Sequence, residues 1–177
     1  YAENMLSGNN KGLAIVFKSE DKIRKELTWK DLKIQVASMA SFLKNSGITK
    51  GDRVAAFMPN MPETVIMMLA SSSIGAVFSS ASPDFGVDGV LDRFGQIEPK
   101  ILITTDGYWY NGKEVNINSK VRQVVDGLPS LEKVIIAPLL NIQEENQADK
   151  FIYFNNILKD NHTAILSFEP LNLDDPL

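Results

Sequence analysis

Four short apolar runs, at 53–58, 77–80, 101–104 and 134–137, alternate with stretches of helical spacing at 62–74, 87–98 and 119–126. This alternation constrains the fold more than any other feature of the chain. Apolar runs of this length read as strands buried on both faces. A helix between two such strands is the connection a parallel pair requires, because the chain has to return to its starting edge before the next strand begins. The pattern predicts an α/β fold: a mostly parallel sheet with right-handed crossovers and helices on both faces. Ligands of such sheets sit beyond the carboxyl ends of the strands. Here those ends are the loops at 59–61, 80–86, 105–113 and 138–141.

The N-terminal part has another rhythm. Leu13-Ala14-Ile15-Val16-Phe17, a polar turn at 19–22 and Arg24-Lys25-Glu26-Leu27-Thr28 together predict an antiparallel hairpin. Thr28 followed three residues later by Asp31 has the form of a capping box with Asp in place of Glu. The helix it opens carries Leu32, Val36, Met39, Ala40 and Leu43 on one face, and Gly47 suits its C-terminal cap. Pro62 suits the first turn of the next helix. Met58, Met61, Met67 and Met68 are expected to fill the core around that helix. Residues 141–149 read as a polar loop and 151–158 as either a helix or an extended segment. From 168 onward Pro170 and Pro176 oppose helix.

Composition narrows the function. The chain has 177 residues, enough for one domain with a core. Its 18 Lys and Arg against 22 Asp and Glu give a net charge of −4, which argues against a nucleic-acid partner, since that needs a dense positive field. There is no cysteine and a single histidine, His162, so neither a thiolate nor a multi-histidine metal site is expected. No run approaches the roughly 18 apolar residues of a membrane span. The opening YAENMLSGNN has neither the basic head nor the apolar core of a signal peptide. A cytoplasmic protein without membrane partners is the expectation. Neither end resembles a natural terminus, and the chain is expected to be an N-terminal piece of something larger.

Few residues carry chemistry on their own. Ser7-Gly8-Asn9-Asn10-Lys11-Gly12 precedes a strand, so it presents no helix N-terminus to a phosphate. The helix after Ser82-Pro83-Asp84-Phe85-Gly86 opens at the carboxyl edge of the sheet. There its first N–H groups could hold an anion, or Ser82 or Asp84 could simply cap it. Asp88 and Asp92 share a face of that helix at i, i+4. Acid–base work is one reading; pairing with Arg93 or Lys100 beside a favourable helix dipole is the plainer one. Lys113 follows three aromatic residues on the same edge. It could meet a phosphate as a point charge with an aromatic ring stacking nearby, or it could be an ordinary turn lysine. His162 lies in a polar stretch, where exposure is the default. No residue of the chain is singled out as catalytic.

Larger patterns carry a resemblance. Gly51-Asp52-Arg53-Val54 with Pro59-Asn60, Pro62-Glu63 and Gly75-Ala76-Val77 resembles a segment of the adenylate-forming enzymes, the acyl-CoA synthetases and their relatives. Ser82-Pro83-Asp84-Phe85-Gly86-Val87, Leu91-Asp92-Arg93-Phe94-Gly95-Gln96-Ile97-Glu98-Pro99-Lys100 and Tyr110-Asn111-Gly112-Lys113 are similar to the acetoacetyl-CoA synthetase branch of that family. So is the opening Tyr1-Ala2-Glu3-Asn4-Met5-Leu6.

The resemblance implies a two-step ligase. Acetoacetate attacks ATP to give an acyl-adenylate and pyrophosphate, and coenzyme A then displaces AMP to give acetoacetyl-CoA, with Mg2+ accompanying the nucleotide. It implies that residues 1–177 belong to the N-terminal AMP-binding domain. The Ser/Thr/Gly-rich phosphate loop would follow a segment like Asp174-Asp175-Pro176-Leu177, so the piece alone is expected to be inactive, to require no cofactor of its own and to self-associate. It also implies a coenzyme A site. In related acetyl-CoA synthetases the loop matching Ser82, Pro83 and Asp84 packs beside coenzyme A, and a basic residue matching Lys113 meets one of its phosphates. A second basic position of that pattern falls on the uncharged Tyr110. The alternatives are another short-chain acyl-CoA synthetase, a stand-alone flavodoxin-like binding or regulatory module, and a structural domain with no small-molecule site.

Overall fold

The computed structural model describes residues 1–8, 11–142 and 149–176. A short helix α1 (Ala2–Leu6) leads into β1 (Leu13–Ser19) and β2 (Ile23–Thr28), which pair antiparallel as a hairpin of their own. Thr28 then opens α2 (Trp29–Asn45) by accepting a bond from the Asp31 N–H at 3.1 Å. The box closes differently from the usual one: the Asp31 carboxylate accepts from the Thr28 hydroxyl at 2.7 Å. At the other end Gly47 and Ile48 donate to the carbonyls of Lys44 and Leu43, both at 3.0 Å, which satisfies two orphan carbonyls.

The central sheet has five strands in the order β4-β3-β5-β8-β9, all parallel. Four are the expected runs: β3 (Arg53–Phe57), β4 (Val77–Ala81), β5 (Ile101–Thr104) and β8 (Lys133–Ile136). The fifth, β9 (Phe151–Tyr153), runs straight into α6 (Phe154–Asp160), so the segment that fitted either state contains both. The crossover helices are α3 (Pro62–Ser73), α4 (Val87–Gly95) and α5 (Asn118–Asp126). Among the described residues no helix is long and apolar enough to cross a membrane.

Strand alternation divides the core in two. Val54, Ala56, Ile101 and Ile103 face one side and join Val36, Met39 and Leu43 of α2 and Ile66 and Met67 of α3. Ala55, Phe57 and Leu102 face the other and pack on Val90 and Phe94 of α4 and Val121 and Val124 of α5. Met58, Met61 and Met67 are buried beside α3 as expected. The chain steps from β3 outward to β4 and then back across β3 to β5. Crossovers of one hand in opposite directions put α3 and α4 on opposite faces. This reversal opens a crevice at the carboxyl edge.

Between β5 and α5 the chain makes a second antiparallel hairpin, β6 (Gly107–Tyr110) and β7 (Lys113–Asn116). It takes up most of the expected loop at 105–113. Asn111 and Gly112, at φ +50° and +75°, form the two-residue turn, and an Asn-Gly pair between strands is the strongest short-range hairpin signal. Gly107 begins the hairpin where no side chain fits: a Cβ there would stand 2.5 Å from the Val115 carbonyl oxygen and 2.6 Å from a Leu140 methyl.

Candidate functional site

The exits of β3, β4 and β5 lie side by side, because Phe57 is in register with both Ala81 and Thr104. They enclose a cleft of about 270 Å³. Met58, Pro59 and Asn60 form one wall, Ser80 to Asp84 the opposite one, and Tyr108 of the β6–β7 hairpin stands over it. Thr64, in the first turn of α3, donates to the Pro59 carbonyl at 2.9 Å and shapes the first wall.

The 82–86 loop is pinned from two directions. Tyr108 Oη donates to Asp84 Oδ1 at 2.6 Å, while Ser82 Oγ donates to Asp84 Oδ2 at 2.9 Å. Lys120, on α5, donates from Nζ to the carbonyls of Pro83 at 2.7 Å and Phe85 at 3.1 Å. The Tyr108 hydrogen bond, helped by that of Ser82, holds the Asp84 carboxyl below the usual carboxylate range despite some burial. Tyr108 moves the other way. Burial and its bond to Asp84 push its hydroxyl from 10.0 to about 12.

The sign of the pH effect follows from these directions. A group raised on folding stabilises the fold below its unfolded pKa and loses that contribution as pH climbs through its folded value. The Tyr108 contribution is therefore complete below about pH 10 and disappears toward about pH 12. In a tyrosinate absorbance titration one ring is expected to ionise late, and Tyr108→Phe is expected to remove that late step. An unchanged titration in the variant would contradict the assignment.

Of the residues singled out in the sequence, Ser82, Pro83 and Asp84 meet in the cleft wall. Lys113 does not line the cleft. It opens β7 opposite Tyr110, and its side chain is exposed at the hairpin tip with no hydrogen bond or ion pair to any described residue. It is nevertheless tied to the same rim. Tyr108, Tyr110, Lys113 and Val115 share one face of the hairpin, and Tyr108 is the residue that reaches Asp84.

Three expectations are corrected. Neither Ser82 nor Asp84 caps α4; its N-cap is Gly86, without a side-chain bond, because the Ser82 and Asp84 side chains bond each other instead. Asp88 and Asp92 do not pair with Arg93 or Lys100, because both cations are taken. The Arg93 guanidinium lies 4.5 Å from the centre of the Phe85 ring, and Lys100 bridges Asp52 at 2.8 Å. The predicted helix at 87–98 stops at Gly95, and Glu98 turns the chain at φ +46°. His162 is exposed, as expected, with Nδ1 2.8 Å from the Lys159 carbonyl oxygen. Among the described residues no group of three or more His, Cys, Asp or Glu side chains comes together as a metal site.

Residues 7–168 match the family model described as AMP-binding enzyme. The chain belongs to the AMP-binding enzyme family. Its relatives include an acetoacetyl-coenzyme A synthetase of Rhizobium meliloti (strain 1021), 55% identical over 72% of this chain and 20% of that protein. Another is an acetoacetyl-CoA synthetase of Macaca fascicularis, 39% identical over 100% of this chain and 28% of its own length. Among solved structures the acetoacetyl-CoA synthetase from Streptomyces lividans superposes with a TM-score of 0.91 at 35% identity, over 98% of this chain and 27% of that one. The chain thus spans between a fifth and three tenths of these AMP-binding relatives.

Several residues that build this part of the AMP-binding fold escaped the sequence reading. Lys120 grips carbonyls 35 and 37 positions away, and no local pattern announces such a bond. Asp106 falls within the loop expected at 105–113, yet it is 2% exposed. Its carboxylate accepts from the N–H groups of Leu139 at 2.7 Å, Leu140 at 3.0 Å and Ile142 at 2.7 Å. It ties the loop after β8 to the end of β5. The Asn111-Gly112 pair was a usable signal, and it fixes which face of the hairpin Lys113 leaves.

Proposed function

We propose that this chain is part of the N-terminal domain of an ATP-dependent acetoacetate–CoA ligase. Such an enzyme joins acetoacetate to ATP as an acyl-adenylate with release of pyrophosphate. The coenzyme A sulfur then attacks the acyl carbon, AMP leaves, and acetoacetyl-CoA is the product. The observation that carries the reading is the similarity along the full chain to proteins named acetoacetyl-CoA synthetase. Composition fits a cytoplasmic enzyme of small molecules.

Within that enzyme we assign this stretch to coenzyme A. The formal charge lining the cleft is the Asp84 carboxylate, already taken by Tyr108 and Ser82. Such a cleft suits the uncharged, amide-bearing arm of coenzyme A and not a polyphosphate. Ser82, Pro83 and Asp84 would flank that arm and exclude water beside it. Lys113, an exposed point charge on the adjoining hairpin tip, would meet a phosphate at the far end. The chain holds no Ser/Thr/Gly-rich phosphate loop, so residues 1–177 alone are expected neither to exchange pyrophosphate into ATP nor to need a cofactor.

The test is a substrate panel on the whole protein. With ATP, Mg2+ and coenzyme A, acetoacetate is expected to give the highest kcat/KM among short acids, with AMP formed in step with thioester. A clear preference for acetate or propionate would favour another short-chain synthetase, and no AMP with any acid would overturn the ligase reading.

A further inference from the structure

Lys113 sits at the tip of a two-stranded hairpin, and an isolated hairpin is marginally stable. What holds its tip is therefore part of what aims the lysine. The structure provides a grip on each side. On the Tyr108 face the hairpin is bonded to Asp84 of the cleft loop. On the Trp109 face it meets the turn of the first hairpin, between β1 and β2. The Lys22 ammonium lies 5.3 Å from the centre of the Trp109 ring, and the Gly112 N–H donates to Glu20 Oε2 at 2.8 Å. Glu20 makes this bond to a residue 92 positions away, inside the Asn-Gly turn that immediately precedes Lys113.

The backbone at Glu20 adds weight. Its φ is +48°, a conformation in which glycine or asparagine is the easier residue. A glutamate kept at a strained turn position, with its carboxylate spent on a distant backbone N–H, points to a use for that carboxylate. The β1–β2 hairpin pairs with no strand of the central sheet. Its tip touches the β6–β7 hairpin through this clasp.

We propose that Glu20 and Lys22 are positioning residues for coenzyme A binding: they clamp the Asn111-Gly112 turn and so fix Lys113 relative to the cleft. The proposal rests on the assignment of Lys113 to a coenzyme A phosphate. It adds that the N-terminal hairpin, remote in sequence from every cleft residue, sets affinity for that substrate.

The adenylation half-reaction needs no coenzyme A, so it separates aiming from folding. In the whole protein, Glu20→Ala with Lys22→Ala is expected to raise KM for coenzyme A three- to tenfold. Acetoacetate-dependent ATP–pyrophosphate exchange should stay within twofold of the unsubstituted enzyme. Glu20→Gln, which keeps an acceptor oxygen, should recover most of the loss due to Glu20→Ala. In a Lys113→Ala background the paired substitution should add almost nothing, because its effect runs through that lysine. If Lys113→Ala raises KM and the clasp variants do not, the clasp proposal fails and the coenzyme A assignment stands. If Lys113→Ala is itself silent, the assignment fails. If the clasp variants reduce exchange as much as thioester formation, or act fully in the Lys113→Ala background, the clasp is a general stabiliser and the proposal is overturned.

Discussion

Asp106→Ala is expected to be the most damaging single substitution in this stretch. The side chain is buried without a cationic partner among the described residues, and three backbone N–H groups of the loop after β8 converge on its two oxygens. Thr105 Oγ1 adds a bond at 3.2 Å. Removing the carboxylate leaves those donors without an acceptor in the protein. At about 1–3 kcal/mol per buried orphan the loss from three N–H groups is about 3–9 kcal/mol. That approaches the whole stability of an ordinary domain, about 5–15 kcal/mol. The denaturant midpoint of the variant should fall sharply. Asp106→Asn should fall between the two, because its amide nitrogen turns a donor toward one of the three N–H groups. A midpoint for Asp106→Ala close to that of the unsubstituted protein would show that the loop finds other acceptors.

The second large effect concerns binding and leaves the fold intact. The Lys113 side chain is exposed and bonded to no described residue, so truncating it disturbs no packing. A charge-assisted contact to phosphate is worth about 1.5–3 kcal/mol. Lys113→Ala is therefore expected to raise KM for coenzyme A roughly ten- to a hundredfold, with acetoacetate-dependent pyrophosphate exchange and the melting temperature unchanged. The interaction is a surface one, so salt should weaken coenzyme A binding in the unsubstituted enzyme and less so in the variant. Lys113→Arg should retain most of the affinity. An unaltered KM in Lys113→Ala would remove the one phosphate contact assigned to this chain.

Much of this architecture could be read from the residues, and the exceptions share a cause. The strands at 53–58, 101–104 and 134–137 announced themselves because a strand covered on both faces has to be apolar throughout, and Thr28 and Gly47 are local signals for local structure. Ser82, Pro83 and Asp84 could be placed at the carboxyl edge from the alternation of strands and helices along the chain. What sequence did not disclose are bonds across long separations: Tyr108 to Asp84, Lys120 to Pro83, Glu20 to Gly112. Each depends on where whole elements come to rest. The capping assigned to Ser82 and Asp84 failed because the two side chains bond each other, with the Tyr108 hydroxyl of another element taking the second Asp84 oxygen. Asp88 and Asp92 lost their expected partners because Asp52 and Phe85 hold Lys100 and Arg93.

The proposed place of coenzyme A is the rim formed by the loop after β4 and the tip of the β6–β7 hairpin. Hydrogen–deuterium exchange of the whole protein with and without coenzyme A tests it most directly. Slower exchange at residues 84–86 and 111–113 on addition of coenzyme A is the predicted result. Unchanged exchange at both segments, with protection appearing only outside residues 1–177, would contradict it.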